Sequence, residues 1–205
     1  LTMLSLCTNA GIDITAFVLD FSNAFWQILI RHDERRFFCA QTTLDGRRKY
    51  LSFTRAAQGS ANAPLLFARV ISLVMRLTQA LFCITEVRLM CYVDDPLAIF
   101  RGTEHDRAIM TAIIILVWEA LGFGLAYSKG QLAQKVTWIG GTLEIQSDSI
   151  TATVKQSIIS DICDDLQKIT RSNLVSRKIL HSLVGKLNHA AGLLIVMRPF
   201  LEPLW

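Results

Sequence analysis

An Asp-Asp dipeptide separates two strongly apolar segments of this sequence. Residues 87–93 and 97–100 flank Asp94-Asp95-Pro96. Short apolar segments on either side of turn-forming residues are typical of two β-strands joined in a hairpin. Aspartate is common in turns, so the dipeptide taken alone favours an ordinary hairpin tip.

A third acid lies in another apolar segment. Residues 16–21 are short, apolar and partly β-branched, which predicts a buried strand that ends at Asp20. Burial of an unpaired carboxylate costs on the order of several kcal/mol, so a cluster of Asp20, Asp94 and Asp95 requires a cation to neutralise it. Carboxylate oxygens suit Mg²⁺ or Mn²⁺ better than zinc. The three acids together therefore predict a divalent-cation site.

The rest of the pattern alternates short strands with longer helices. Further strands are predicted at residues 36–41, 48–53, 136–139 and 142–145. Helices are predicted at residues 62–77, 104–121, 155–169 and 176–194. Ser22 or Asn23 is expected to cap a helical turn that follows the first strand. Helices gathered on one face of a largely antiparallel sheet define an α+β fold, which is the predicted class.

Composition indicates the size and the environment of the fold. The chain has 205 residues, of which 52% are hydrophobic and 19% charged, enough for one sizeable core and a small second lobe. The net charge of +4 is compatible with a polyanionic partner. The longest apolar run, residues 112–118, is too short to cross a bilayer, and residues 1–11 lack the basic start of a signal peptide. We therefore expect an intracellular protein that does not enter a membrane.

Cysteine and histidine spacing argues against a zinc site. The five cysteines are scattered and no two have CxxC spacing, so neither zinc nor a disulfide framework is expected. They are interpreted as buried, reduced side chains. The histidines show no metal-ligand spacing and are interpreted as structural: His32, His105, His181 and His189.

Six segments, in order along the chain, combine into one larger pattern. The first three are FVLDFSNAFWQI (17–28), QGSANAPLLF (58–67) and YVDD (92–95). The next three are LGFGL (121–125) with Ser128-Lys129, WIG (138–140), and LVGKLN (183–188) with RPF (198–200). In this order they resemble the motifs of retroviral and retrotransposon reverse transcriptases, among them the Tyr-X-Asp-Asp box and the primer-grip hairpin. The resemblance extends from about Phe17 to Trp205.

The resemblance implies a fold and an activity. It implies a polymerase palm, with an antiparallel sheet backed by helices and with partial fingers, over residues 1–150, and a helical thumb-proximal segment over residues 151–205. The implied enzyme is an RNA-directed DNA polymerase that adds deoxynucleotides from dNTPs to the 3′-hydroxyl of a DNA or RNA primer paired with an RNA template. Two Mg²⁺ or Mn²⁺ ions would lower the pKa of that hydroxyl and stabilise the leaving pyrophosphate. The oligomeric state is left open.

The resemblance also implies roles for individual residues at the metal site. Asp20 and Asp94 would be direct ligands, Asp95 the third acid, and the carbonyl of Phe21 a backbone ligand. An aromatic ring at Phe25 would clash with a ribose 2′-hydroxyl and so select deoxynucleotides; the alternative is an ordinary core aromatic.

Further residues are assigned to the substrates. The nucleotide would lie beside Asn23, Ala24, Phe25, Gln58, Gly59 and Lys129. The primer and template would lie beside Tyr92, Trp138, Ile139 and Gly140. Gln58 is alternatively a loop glutamine. Lys129 would donate a proton to pyrophosphate or hold a phosphate, and is equally compatible with a solvated surface lysine.

Two departures from the family pattern favour an alternative function. Asn23 stands where the family usually carries aspartate, and only nineteen residues precede Asp20, too few for the basic fingers residues expected there. We therefore expect a fragment of a retroelement polyprotein, whose activity in isolation is open. The alternative is a catalytically inactive relic or a domesticated nucleic-acid-binding palm module, although the three retained acids oppose it. An RNA-dependent RNA polymerase shares the palm, but usually has Gly-Asp-Asp and lacks an aromatic gate.

Overall fold

Antiparallel strands make up the sheets of this protein. The computed structural model describes residues 13–146, 149–172, 174–193 and 201. Within them the strands are β1 (Ile14–Val18), β2 (Cys39–Leu44), β3 (Arg47–Ser52), β4 (Val87–Tyr92), β5 (Asp95–Arg101), β6 (Gln131–Ala133), β7 (Lys135–Trp138), β8 (Gly141–Ile145) and β9 (Ile150–Val154). They form a central sheet of order β4-β5-β1-β6, a β2-β3 hairpin and a small sheet of order β7-β8-β9.

Helices cover one face of the central sheet and extend beyond it. They are α1 (Ala63–Gln79), α2 (Glu104–Ala120), α3 (Gln156–Thr170) and α4 (Arg177–Leu193). Their bounds agree with the predicted helices within two residues, and residue 194 lies outside the described residues. No helix in these ranges is both long and apolar enough to cross a membrane. The combination of helices with antiparallel sheets confirms the predicted α+β class.

Local sequence explains where α1 and α2 begin. Pro64 lies in the first turn of α1, where its missing N–H leaves no hydrogen bond unmade. Thr103 and Asp106 form a capping box at the start of α2, each side chain accepting the other residue's backbone N–H. Gly122, with φ of 84°, follows the end of α2. The predicted caps Asn23 and Asn62 precede their helices, but neither side chain makes a capping hydrogen bond.

The turn between β4 and β5 is tighter than the sequence suggests. Tyr92 pairs with Asp95, which leaves Val93 and Asp94 as a two-residue turn, and Val93 adopts a φ of 56° as such turns require. The predicted hairpin is confirmed, but Asp95 and Pro96 belong to strand β5 and not to the turn of the hairpin.

The central sheet is buried on both faces. Phe17 packs on α1 and α2 in a cluster that includes Trp118. Val18 packs on the opposite side, against Val136 of the small sheet. Neighbouring residues of a strand point to opposite faces, so β1 packs against the helices on one face and against the small sheet on the other. Packing on two sides therefore fixes the end of β1, which leads directly to Asp20.

A buried polar contact joins α1 to α2. The indole N–H of Trp118 donates to Thr78 Oγ1 at 3.0 Å, and that hydroxyl donates to the Val74 carbonyl at 2.9 Å. Thr78→Val keeps the shape but leaves the indole N–H without its acceptor, so we expect the free energy of unfolding to fall by about 1 to 3 kcal/mol. Urea denaturation measures this loss, and Thr78→Ser, which retains the hydroxyl, should lose less. An unchanged midpoint for Thr78→Val would contradict the expectation.

The sequence pattern does not predict two of the strands. β6 is only three residues long, and β9 is threonine-rich and largely exposed, so neither has a clear apolar alternation. The predicted division between residues 150 and 151 falls within β9, which pairs with β8 along its whole length. We propose that the helical C-terminal segment begins after β9, at Lys155.

The expectation of buried cysteines is wrong for the four that the structure describes, and Cys7 lies outside the described residues. Cys39, Cys83 and Cys163 are exposed, and Cys91 is partly buried. All four are free thiols, as expected from their spacing. Exposure is possible because a free thiol makes weak hydrogen bonds, such as that from Cys39 Sγ to the Arg36 carbonyl at 3.5 Å.

Candidate active site

Strand register brings two of the three acids together. The register of β1 against β5, continued for two residues beyond β1, places Asp20 opposite Asp95. The next residue, Phe21, lies opposite Asp94, whose carbonyl accepts the Phe21 N–H at 3.5 Å. The side chains of Asp20 and Asp95 lie close enough for Asp20 to raise the pKa of Asp95. Two acids that are 75 positions apart in the sequence thus meet at one end of the central sheet.

Asp95 is the acid most strongly perturbed by this pairing. Burial, then the hydrogen bond and charge of Asp20, and then the charge of Asp94 raise the pKa of Asp95 to about 6, while the Lys129 ammonium opposes the rise. Two adjacent carboxylates are a suitable donor set for a hard divalent cation, which would neutralise their charges. The residues present therefore fit Mg²⁺ or Mn²⁺.

The raised pKa of Asp95 predicts how stability depends on pH without metal. The folded state holds the Asp95 proton up to about pH 6, whereas an unfolded aspartate loses it near pH 4. Stability therefore falls as pH rises through this window, and the loss is complete above it. We expect Asp95→Asn to exceed the wild-type free energy of unfolding by about 1 kcal/mol at pH 7.5, after allowance for solvent screening, and by little at pH 4. Denaturation at both pH values tests this, and an equal difference at both would contradict it.

Lys129 lies against the acid pair. Its Nζ is 2.5 Å from Asp20 Oδ2, and the hydrogen bond and charge of Asp20 raise the pKa of Lys129. The segment that carries Lys129 is fixed to the acid strand, because the Ala126 N–H donates to the Asp20 carbonyl at 2.9 Å. The lysine side chain is two-thirds exposed (67%), and its ionic partner is an acid of the site.

The turn of the β7-β8 hairpin closes one side of the acid pair. Asp20, Asp95 and Lys129 line a cavity of about 340 Å³, which we call the acid cavity; its other lining residues are Val18, Gln131, Thr137, Trp138, Ile139 and Gly140. The Trp138 indole N–H donates to the backbone carbonyl of Asp95 at 2.9 Å. The three residues assigned to primer binding, Trp138, Ile139 and Gly140, are thus brought to the acids.

Asp94 occupies a different position from the other two acids. It lies at the tip of the β4-β5 turn, partly buried, and its side chain is not among those that line the acid cavity. In the part of the chain that the structure describes, no group of three or more acidic, histidine or cysteine side chains is arranged to hold a metal ion. The described arrangement is therefore a two-carboxylate pair with Asp94 adjacent. Tyr92, beside this turn, is 59% exposed.

The carbonyl of Phe21 faces the β4-β5 turn. Phe21 forms an isolated bridge with Leu125, flanked by two hydrogen bonds of 2.9 Å, from Ser22 N–H to the Gly124 carbonyl and from Ala126 N–H to the Asp20 carbonyl. Because the residues on either side of Phe21 and Leu125 make these hydrogen bonds, the N–H and carbonyl of Phe21 itself point away from Leu125. They point toward Asp94, consistent with the contact between the Phe21 N–H and the Asp94 carbonyl.

The residues after Asp20 form a short 3₁₀ turn that presents the predicted gate. The turn, Ala24–Gln27, follows Asn23, which adopts a left-handed φ of 51°. Ala24 is buried and Asn23 exposed. Phe25 is partly buried and packs edge-to-face on Phe67, with ring centroids 5.5 Å apart. This packing fixes the position of the Phe25 ring and agrees equally with a steric gate and with an ordinary core aromatic.

Two glutamines that the sequence interpretation assigned no role hold the site together. The Gln27 amide accepts the Gly124 N–H at 2.9 Å and donates to the Gly124 carbonyl at 3.0 Å, and it also contacts the Ser22 carbonyl. The Gln131 amide likewise joins β6 to β7, accepting the Thr137 N–H at 2.8 Å and donating to its carbonyl at 3.1 Å. Gln27 lies in the motif at residues 17–28, and Gln131 follows Lys129 by two residues. Their closeness in sequence to predicted site residues was the signal that could have identified them.

Gln58 and Gly59 do not line the acid cavity. They line a larger cavity of about 920 Å³ between the start of α1 and the β2-β3 hairpin, together with Phe53 and Arg69. Gly59 has a φ of 92°, a conformation that favours glycine. The structure therefore places the residues assigned to the nucleotide in three places: Gln58 and Gly59 in this larger cavity, Lys129 in the acid cavity, and Asn23, Ala24 and Phe25 at the turn after Asp20.

The sequence of this chain is similar to one protein family and to a retroviral polyprotein. The family described as reverse transcriptase (RNA-dependent DNA polymerase) has a model that matches residues 5–143. The Gag-Pol polyprotein of avian reticuloendotheliosis virus is 28% identical over 148 residues, which cover 69% of this chain and 12% of that polyprotein. The chain thus spans about an eighth of this relative.

Solved structures show the same fold. Foamy viral protease-reverse transcriptase dRH in complex with double-stranded DNA has a TM-score of 0.61 at 20% identity, covering 98% of this chain and 32% of that one. Foamy viral protease-reverse transcriptase in complex with an RNA/DNA hybrid has a TM-score of 0.60 at 20% identity, covering 98% and 25%. The likeness extends over almost the whole of this chain and about a third or less of each relative.

Proposed function

Because this chain belongs to the reverse transcriptase family, whose model matches residues 5–143, we propose that it is the palm, with the start of the thumb, of an RNA-directed DNA polymerase. The observation that carries the proposal is the pairing of Asp20 with Asp95 beside Lys129, in a cavity closed by the β7-β8 turn. A partly buried acid pair of this kind costs stability in the absence of a cation, which favours a catalytic explanation over a structural one.

The acids and a backbone carbonyl would hold two divalent cations. Asp20 and Asp95 supply the paired carboxylates, Asp94 lies one residue away on the turn, and the Phe21 carbonyl faces that turn. Mg²⁺ or Mn²⁺ bound there supplies Lewis acidity, which activates a primer hydroxyl and stabilises a pyrophosphate leaving group. Lys129 would exchange its contact with Asp20 for one with the triphosphate, and there donate a proton or hold a phosphate.

The remaining residues would orient the substrates. Phe25, held by Phe67, excludes a ribose 2′-hydroxyl, while Asn23 and Ala24 flank the nucleotide. Gln58 and Gly59 would contact the nucleotide or the template base from the neighbouring cavity. Tyr92 with Trp138, Ile139 and Gly140 would contact the primer strand. The proposed partners are an RNA template, a primer duplex and dNTPs, supported by relatives solved with double-stranded DNA and with an RNA/DNA hybrid.

Nucleotide choice tests the proposal. The full chain is given a labelled DNA primer on an RNA template with Mg²⁺, and either the four dNTPs or the four rNTPs. We expect extension with dNTPs and almost none with rNTPs. Equal extension with rNTPs would instead indicate an RNA-dependent RNA polymerase.

A binding assay on the same samples distinguishes the other alternative. Duplex binding by the folded chain without any extension would favour a relic or a domesticated nucleic-acid-binding module. Asn23, which stands where the family carries an acid, is the residue to revert first in that case. Recovery of extension by Asn23→Asp would assign the defect to that one substitution.

A further inference from the structure

Helix α4 reaches the rim of the acid cavity through His189. The imidazole of His189 lies against the Cα of Gly140 in the β7-β8 turn. A Cβ added to Gly140 would overlap His189 Nε2 and would lie 3.0 Å from its Cε1 and 3.3 Å from its Cδ2. A side chain at position 140 would therefore displace the imidazole of His189, which is otherwise exposed to solvent.

The turn that His189 contacts has an unfavourable backbone. Ile139 and Gly140 have φ values of 42° and 75°, and a positive φ is strained for a β-branched residue such as isoleucine. Strained conformations persist only where the surroundings fix them. The hairpin ladder fixes the turn from one side, because Trp138 pairs with Gly141, and His189 bounds it on another.

The turn is connected directly to the catalytic acids. Trp138, the residue before it, donates its indole N–H to the Asp95 carbonyl at 2.9 Å. Helix α4 is itself firmly placed, since Val184 is buried and Lys186 Nζ lies 2.6 Å from Asp165 Oδ2 of α3. A continuous series of contacts therefore runs from α4 through the turn to Asp95.

We propose that His189 is a positioning residue, whose imidazole seats the Ile139–Gly140 turn and, through Trp138, holds Asp95 at the acid cavity. The expected effect of His189 on catalysis rests on the proposed function. The contacts between His189, the turn and Trp138 do not depend on it. The positioning role makes nucleotide addition depend on the placement of α4, so that the C-terminal helical segment and the acids act as one unit.

Fluorine NMR tests the contacts independently of activity. The chain contains four tryptophans, and replacing them with 5-fluorotryptophan gives one resonance each, with Trp138→Phe assigning the resonance of Trp138. We expect His189→Ala to shift the Trp138 resonance and to leave that of buried Trp118 in place. His181→Ala, at an exposed position of the same helix, is the matched control and should shift neither. An unmoved Trp138 resonance in His189→Ala would overturn the proposal.

Steady-state kinetics then test the effect on catalysis. We expect His189→Ala to lower kcat for single-nucleotide addition about tenfold with the KM for dNTP almost unchanged, and His189→Gln, whose amide reaches the turn, to recover most of the loss. Unchanged kcat in His189→Ala, with an active wild type, would overturn the proposal. An inactive wild type would count against the proposed function instead, and the fluorine result would still decide whether His189 positions the turn.

Discussion

Replacing Asp20 with asparagine should lower the rate of nucleotide addition by about 10³-fold or more. The neutral amide cannot supply the charge that a divalent cation and the developing charge of the transition state require. The substitution also removes the repulsion between Asp20 and Asp95, so the protein should remain folded. The rate of single-nucleotide addition under saturating primer duplex measures the effect, beside a thermal melt.

The control for Asp20→Asn changes the same residue type elsewhere. Asp45 lies in the β2-β3 turn with a φ of 54°, a conformation that asparagine tolerates well. Asp45→Asn should therefore keep both the wild-type rate and the wild-type melting temperature. Full activity in a folded Asp20→Asn variant would remove Asp20 from the mechanism.

Replacing Phe25 with alanine should lower the preference for deoxynucleotides by about 10²-fold, because the ring that meets a 2′-hydroxyl is gone. The preference is the ratio of kcat/KM for a dNTP to that for the matching rNTP. The change should come from faster use of the rNTP, since the dNTP has no 2′-hydroxyl to exclude. The lost contact with Phe67 should also reduce the free energy of unfolding.

A second phenylalanine separates gating from general loss of aromatic packing. Phe82 is partly buried against the core, as Phe25 is, but lies outside the turn that follows Asp20 and lines neither cavity, so Phe82→Ala should leave the preference unchanged. Phe25→Leu, which keeps a bulky side chain, should retain part of the preference. An unaltered ratio in Phe25→Ala would mean that Phe25 is only a core aromatic.

Much of this fold could be predicted from the sequence because the spacing of apolar residues is regular in the segments that pack against the core. The helices repeat apolar residues at helical spacing and begin at recognisable signals such as Pro64 and Thr103, so their bounds are accurate. The strands β6 and β9 give no such signal, since one is very short and the other is exposed and rich in threonine. The cysteines were misassigned because residue type alone does not determine burial.

The composition of the acid site could be predicted, but its internal geometry could not. The motifs single out Asp20, Asp94 and Asp95, whereas only the register of β1 against β5 determines that Asp20 meets Asp95. A shift of one residue would exchange the two acids. The contact of His189 with Gly140 could not be predicted either, because it joins segments that are distant in the sequence and no motif links them.

If the acid cavity performs metal-dependent addition of deoxynucleotides, as we claim, the rate of single-nucleotide addition must depend on a divalent metal ion. The rate is measured for the full chain on a DNA primer and an RNA template, over a range of Mg²⁺ from none to excess. We predict no product without metal and a rise steeper than that for a single site, as expected if two ions take part. A rate that does not depend on Mg²⁺ or Mn²⁺, or no addition at any concentration by folded, duplex-bound protein, would contradict the claim.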